Sequence, residues 1–184
     1  MLSDAALDDV RARVVAAFAW IDGHSDVASV LRDPHLVADL GPALATPFPH
    51  AGVTAVAGLE AKGFALGALV AAQLGCGLVL VRKQDGHLPG ERVATTTAPD
   101  WKRRELVLRM RSGHVGPGDR VLVVDDWIET GAQAQAVFEL VRRCGGEPVG
   151  VAVLVDDIRR DSGMRSALSV RALVRSSDLG RSDP

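Results

Sequence analysis

The segment Val121–Ala134, VLVVDDWIETGAQA, constrains this chain more than any other part of it. Four consecutive apolar residues, Val121–Val124, are too few for a buried helix and suit a strand covered on both faces. They run into two acids, Asp125 and Asp126, and then into Thr130-Gly131-Ala132, a small-residue turn that opens a helix. A strand that delivers its following loop to a helix start puts that loop at the carboxyl edge of a parallel sheet, where α/β proteins bind ligands. Free backbone N–H groups at such a turn cradle a phosphate, and the Thr130 hydroxyl adds a donor. The paired carboxylates of Asp125 and Asp126 would be repelled by that phosphate. They suit the two hydroxyls of a ribose, or a magnesium ion held with it.

The rest of the chain keeps the same rhythm. Val53–Gly58 and Gly77–Arg82 read as strands on either side of a small-residue helix, Gly63–Leu74. Ala132–Cys144 is the helix after the central motif, stopped by Gly145-Gly146, and Val149–Val155 and Val170–Val174 are further strands. Apolar spacing at Leu7, Val10, Val14 and Phe18 predicts an opening helix over Ala5–Trp20. Asp33 before Pro34 starts another helix through about Leu44, inside a breaker-rich stretch, Ile21–Pro49. Between Gly86 and Pro117 the rhythm breaks into a polar excursion with one strand candidate, Glu105–Met110, which reads as a lid. The expected architecture is α/β, one domain over residues 1–184. A central, mostly parallel sheet has helices on both faces, with an N-terminal helix and hood in 1–50, a core in 51–175 and a lid region in 86–117.

Bulk properties narrow the partners. With 21 basic and 23 acidic residues the formal charge is -2, which gives no global attraction for nucleic acid, so an anionic ligand must be held by local cations. No apolar run is long enough to span a membrane, and Asp4, Asp8 and Asp9 stand where a signal peptide needs positive charge. Cys76 and Cys144 share no metal-type spacing and read as thiols in a reducing cytoplasm. The five histidines form no ligand pattern.

The order strand, two acids, two apolar residues, one variable residue, Thr-Gly and a small residue resembles the type I phosphoribosyltransferase signature. Ala57–Gly67 (AGLEAKGFALG), Val79–Glu91 (VLVRKQDGHLPGE) and Asp26–Pro34 (DVASVLRDP) are similar to stretches of the adenine phosphoribosyltransferase branch. The resemblance runs from about Val53 to Val155. It implies a type I phosphoribosyltransferase fold and transfer of phosphoribosyl from phosphoribosyl pyrophosphate to a purine, most closely adenine, with release of pyrophosphate. It also implies magnesium, carried mainly by the substrate, and a homodimer. The other reading is a regulatory protein of the same fold that binds phosphoribosyl pyrophosphate without turning it over.

Carried over residue by residue, the resemblance assigns ribose binding to Asp125 and Asp126 and phosphate binding to Thr130, Gly131, Ala132 and Gln133. Lys62, Arg82 and Lys83 become counter-charges for pyrophosphate. Lys62 stands where the family has Arg, so the charge is kept and the bidentate fork lost. In the lid, Asp100 and Trp101 occupy the places of the family's proton-transfer Glu and covering aromatic. His24-Ser25-Asp26 replaces a Phe-Arg-Asp. Glu129 replaces the usual Ala before Thr-Gly. A carboxylate about 5 Å from a phosphate charge is repelled by roughly 3 kcal/mol at an effective dielectric near 20, which turns it away from the cradle. Two readings follow for Glu129: an acid/base facing the purine, or an ion-pair partner of Lys62, Arg82 or a second subunit. Trp127 likewise reads either as core or as a flank of the base.

Overall fold

The computed structural model describes residues 1–84, 88–99, 105–160 and 162–180. The elements follow in order: α1 (Asp4–Ala17), β1 (Ala19–Ile21), β2 (His24–Asp26), α2 (Val27–Arg32), α3 (Pro34–Ala45), β3 (Ala55–Leu59), α4 (Lys62–Leu74) and β4 (Gly77–Lys83). Then come β5 (Arg92–Thr96), β6 (Val107–Arg111), β7 (Arg120–Ile128), α5 (Ala132–Arg143), β8 (Glu147–Asp156), α6 (Met164–Ala167) and β9 (Val170–Arg175).

Seven strands form one sheet in the order β5-β6-β4-β3-β7-β8-β9. The five from β4 to β9 are parallel, and β6 and β5 are added antiparallel at one end. Parallel strands buried on both faces should be continuously apolar, and β7 shows why. Leu122 and Val124 point into a layer with Leu36 and Leu40 of α3 and Leu66 and Val70 of α4, whereas Val121 and Val123 point into a layer with Val137, Leu140 and Val141 of α5. After β3 the chain goes first to one side, to β4, and later to the other, to β7. The reversal leaves a crevice beyond the carboxyl ends of β3 and β7. That crevice receives the turn from β3 into α4 at Glu60–Lys62 and the end of β7 with the turn after it, Asp125–Thr130.

Helix starts are capped as their residues dictate. Ser3 accepts from Ala6 N–H, and Asp33 accepts from His35 and Leu36 N–H ahead of Pro34.

Several elements differ from the sequence reading. α1 stops at Ala17, and Trp20 turns into a small hairpin, β1–β2, closed by Asp22 and Gly23 at φ 50° and 73°. Two successive positive φ values make the primed turn that suits a two-residue hairpin, and Asp-Gly is its sequence signal. The excursion after Gly86 is also narrower than expected. Arg92–Thr96 forms β5, because Val93 and Thr95 face inward while Arg92, Ala94 and Thr96 face out, and β5 pairs with β6. Thr95 donates to Glu139 of α5 and Arg143 donates to Ala94 O, which fastens that arm to the sheet.

The crevice depends on two glycines. A Cβ at Gly58 would lie 2.5 Å from the Gly63 carbonyl oxygen, and one at Gly63 would lie 2.7 Å from the Val124 carbonyl oxygen. The atoms in the way are backbone, so they cannot step aside. Gly58→Ala is expected to destabilise the protein by about 1–3 kcal/mol through overpacking, read as a fall in the urea midpoint. An unchanged midpoint would show that β3 and α4 are not packed this closely.

Candidate active site

β7 continues four residues past its apolar run, to Ile128, and so carries both acids on ordered strand. Asp125 Oδ1 accepts from the Asp126 N–H at 2.9 Å. Burial, then the neighbouring Asp126 charge, push the Asp125 carboxyl well above the usual carboxylate range, and Lys83 offsets part of that rise. Asp126 instead accepts from Lys62 Nζ at 2.9 Å. Lys62 is the first residue of α4, and Gly63 beside it is what lets the helix start lie against β7.

Glu60 organises the next cations. Its carboxylate accepts from Lys83 N–H at 2.7 Å and from Arg82 Nη2 at 2.8 Å, and these donors hold it below its ordinary range. Arg82 and Lys62 therefore stand beside the crevice already paired with acids, while Lys83 lines the crevice itself.

The phosphate-type turn has the geometry its residues promise. Gly131 sits at φ 80°, the left-handed region that a side chain disfavours, and begins α5 with no side-chain cap. The helix therefore starts with backbone N–H groups that lack intrahelical acceptors and with the positive end of its dipole at the turn. Thr130 Oγ1 accepts from Ala132 N–H at 3.3 Å, which shapes the turn from within. Gln133 Oε1 is enclosed without a hydrogen-bond partner. An enclosed amide oxygen facing no donor is costly. A rotation of the amide would instead present its N–H groups.

A cavity of about 280 Å³ joins these parts, with Lys83, Asp125, Asp126, Glu129, Thr130 and Gln133 on its wall. Gly131 and Trp127 also border it, while Ala132, Lys62 and Arg82 are not among its lining residues. Glu129 is exposed at its mouth. Trp127 is half-buried. It borders the cavity and packs against Trp20 and Phe18 at centroid distances of 5.9 and 6.4 Å. This aromatic trio, with Trp20 Nε1 donating to Gly180 O, fastens the N-terminal hairpin over the end of β7. The sequence reading set Trp20 at a helix end and missed the contact. Asp100 and Trp101, the two lid assignments, lie outside the described residues. Among the described residues no cluster of three or more His, Cys, Asp or Glu side chains is arranged to hold a metal ion.

Residues 47–171 match the phosphoribosyl transferase domain family. This chain belongs to that family. It is 44% identical to an adenine phosphoribosyltransferase of Streptomyces coelicolor over 131 residues, 71% of this chain and 70% of the relative. The corresponding Escherichia coli enzyme is 40% identical over 131 residues, again 71% of this chain and 70% of the relative. Among solved structures, the adenine phosphoribosyltransferase of Rhodothermus marinus superposes with a TM-score of 0.79 at 31% identity, covering 91% of this chain and 99% of that one. The Giardia lamblia enzyme in complex with 9-deazaadenine gives 0.78 at 25% identity, covering 90% and 97%. The chain is a phosphoribosyltransferase of type I fold.

The raised Asp125 carboxyl predicts a pH effect. A hydroxyl donates a stronger hydrogen bond to an ionised carboxylate than to a neutral carboxyl group. Because the Asp125 pKa is raised, the protonated form persists to higher pH than usual, so affinity for phosphoribosyl pyrophosphate should rise as pH increases through that pKa. Asp125→Asn should bind weakly and lose this component of the pH dependence. Calorimetric titration of both proteins over the pH range in which both stay folded checks it. Parallel pH profiles for the two would contradict it.

Proposed function

We propose that this enzyme transfers phosphoribosyl from phosphoribosyl pyrophosphate to adenine in purine salvage, using Asp125 and Asp126 for the ribose and the Thr130–Gln133 turn for the 5′-phosphate. The observation that carries the assignment is that both acids, Thr130, Gly131 and Gln133 at the start of α5, and Lys83 line one cavity. In the reaction the bond from the anomeric carbon to pyrophosphate breaks, a purine nitrogen bonds to that carbon, and the nitrogen's proton is lost. Positive charge grows on the ribose ring, and fixed carboxylates beneath it offset that charge without having to reorganise. Lys83, together with Lys62 and Arg82, supplies positive charge for the departing pyrophosphate.

Glu129, exposed and on the cavity wall, is one candidate to take the purine proton. Asp100 of the lid is the other candidate. Two adjacent carboxylates suit a magnesium ion that brings most of its ligands as substrate oxygens and water. Bound so, magnesium would neutralise phosphate charge, with Asp125 and Asp126 as the protein groups nearest to it. Consistent with its family, the enzyme acts as a homodimer in the cytoplasm. No described helix is long and apolar enough to cross a membrane.

The test is pyrophosphate release with magnesium, phosphoribosyl pyrophosphate and adenine, hypoxanthine or guanine in turn. Adenine is expected to support turnover best. Binding of phosphoribosyl pyrophosphate without release in the presence of any base would overturn the enzymatic reading in favour of a regulatory one. In the same assay the general acid/base should lose about 10²–10⁴ in rate when neutralised. Glu129→Gln is expected to show that loss and Asp100→Asn a smaller one; the reverse order would move the role to the lid.

A further inference from the structure

Behind the phosphate turn lies an ionic arrangement that none of these roles uses. Asp156 ends β8 and pairs in register with Ile128 at the end of β7. Its side chain is only 5% exposed. Both of its oxygens accept from Arg165, through Nε and Nη2, and Oδ1 also accepts from the Ile158 N–H at 2.9 Å. Arg165 Nη2 donates further to the Ile158 carbonyl. A bidentate pair tied to backbone at both partners holds its position far better than an isolated surface bridge.

What this pair holds is α6, a single turn of four residues that could not persist alone. Met164, the first residue of α6 and the neighbour of Arg165, occupies the space where Gly131 lacks a side chain. A Cβ on Gly131 would come 2.5 Å from Met164 Cγ and 3.1 Å from Leu168 Cδ1. Contact thus runs from the end of β8, through the Asp156–Arg165 pair, to Met164 and Leu168, and onto the backbone of the turn at Gly131. Gly131 is in the left-handed region and, as the N-cap of α5, has no side chain of its own to hold the turn. The turn is propped from behind.

We infer that Arg165, paired with Asp156, is a positioning residue that presses Met164 against Gly131 and so presets the turn for the 5′-phosphate. It touches no reacting atom. The inference rests on the reading that Thr130–Gln133 takes the phosphate of phosphoribosyl pyrophosphate. A loosened turn must be ordered again at each binding event, which weakens phosphate capture and leaves the chemistry at the anomeric carbon alone.

Steady-state kinetics with four variants test this. Arg165→Gln and Met164→Ala are each expected to raise KM for phosphoribosyl pyrophosphate about tenfold while kcat and KM for adenine change by less than about twofold, since a small misplacement of binding groups has effects of this order or larger. Arg165→Lys, which keeps the charge and loses the fork, should restore part of the loss. Met164→Ala removes no charge and unburies no ion, so it reports on the turn even if Arg165→Gln folds poorly. Thr130→Val tests the underlying reading separately. If Thr130→Val raises that KM and the Arg165 and Met164 variants do not, the positioning role is wrong and the phosphate turn stands. If Thr130→Val has no effect either, the assignment of the turn fails as well. A parallel fall in kcat, both affinities and melting temperature in Arg165→Gln and Met164→Ala would reduce the pair to general support of the fold and overturn the inference.

Discussion

The site depends on how closely the start of α4 lies against β7. With Gly63 in contact with the Val124 carbonyl and the Asp125 carboxylate, Lys62 is brought within ion-pair distance of Asp126. Any larger residue at 63 would separate the loop after β3 from the loop after β7, and the two halves of the ligand crevice would no longer meet. Gly58 sets the other side of the same approach, because it allows the chain leaving β3 to fold back at once into α4. Close packing of backbone on backbone is what fixes the positions of the charges here.

Those charges are arranged before any ligand arrives. Lys62 is held by Asp126 and Arg82 by Glu60, whose second oxygen takes the Lys83 N–H. The protein as a whole is slightly acidic, so a phosphate-bearing substrate must find its attraction locally. Asp125, by contrast, carries a raised carboxyl beside a charged neighbour. A group that is uncomfortable when ionised in the free protein gains most from ribose hydroxyls or a cation placed against it. On the proposed reading, the acids meet the ribose and the cations meet the pyrophosphate attached to it.

Much of this was legible in the order of residues, and the misses have physical causes. The apolar runs marked β3, β4, β7, β8 and β9, because a parallel strand covered on both faces has no polar alternation to blur it. β7 nevertheless continues through Asp125 to Ile128, where ladder pairing with β8 outweighs the low strand propensity of two acids. β5 stayed hidden because only Val93 and Thr95 of RVATT face inward. The β1–β2 hairpin carried a readable Asp-Gly signal that a helical periodicity ending at Trp20 obscured. Pairings such as Lys62 with Asp126, Trp20 with Trp127 and Arg165 with Asp156 leave no mark in local spacing, since only the tertiary fold brings their elements together.

The most direct test is diffraction from crystals grown with magnesium and phosphoribosyl pyrophosphate. The account predicts the 5′-phosphate within hydrogen-bond distance of the backbone N–H groups between Thr130 and Gln133, the ribose hydroxyls on Asp125 and Asp126, and the pyrophosphate toward Lys83 and Lys62. Density for the ligand in any other part of the molecule, or with the phosphate turned away from α5, would contradict it.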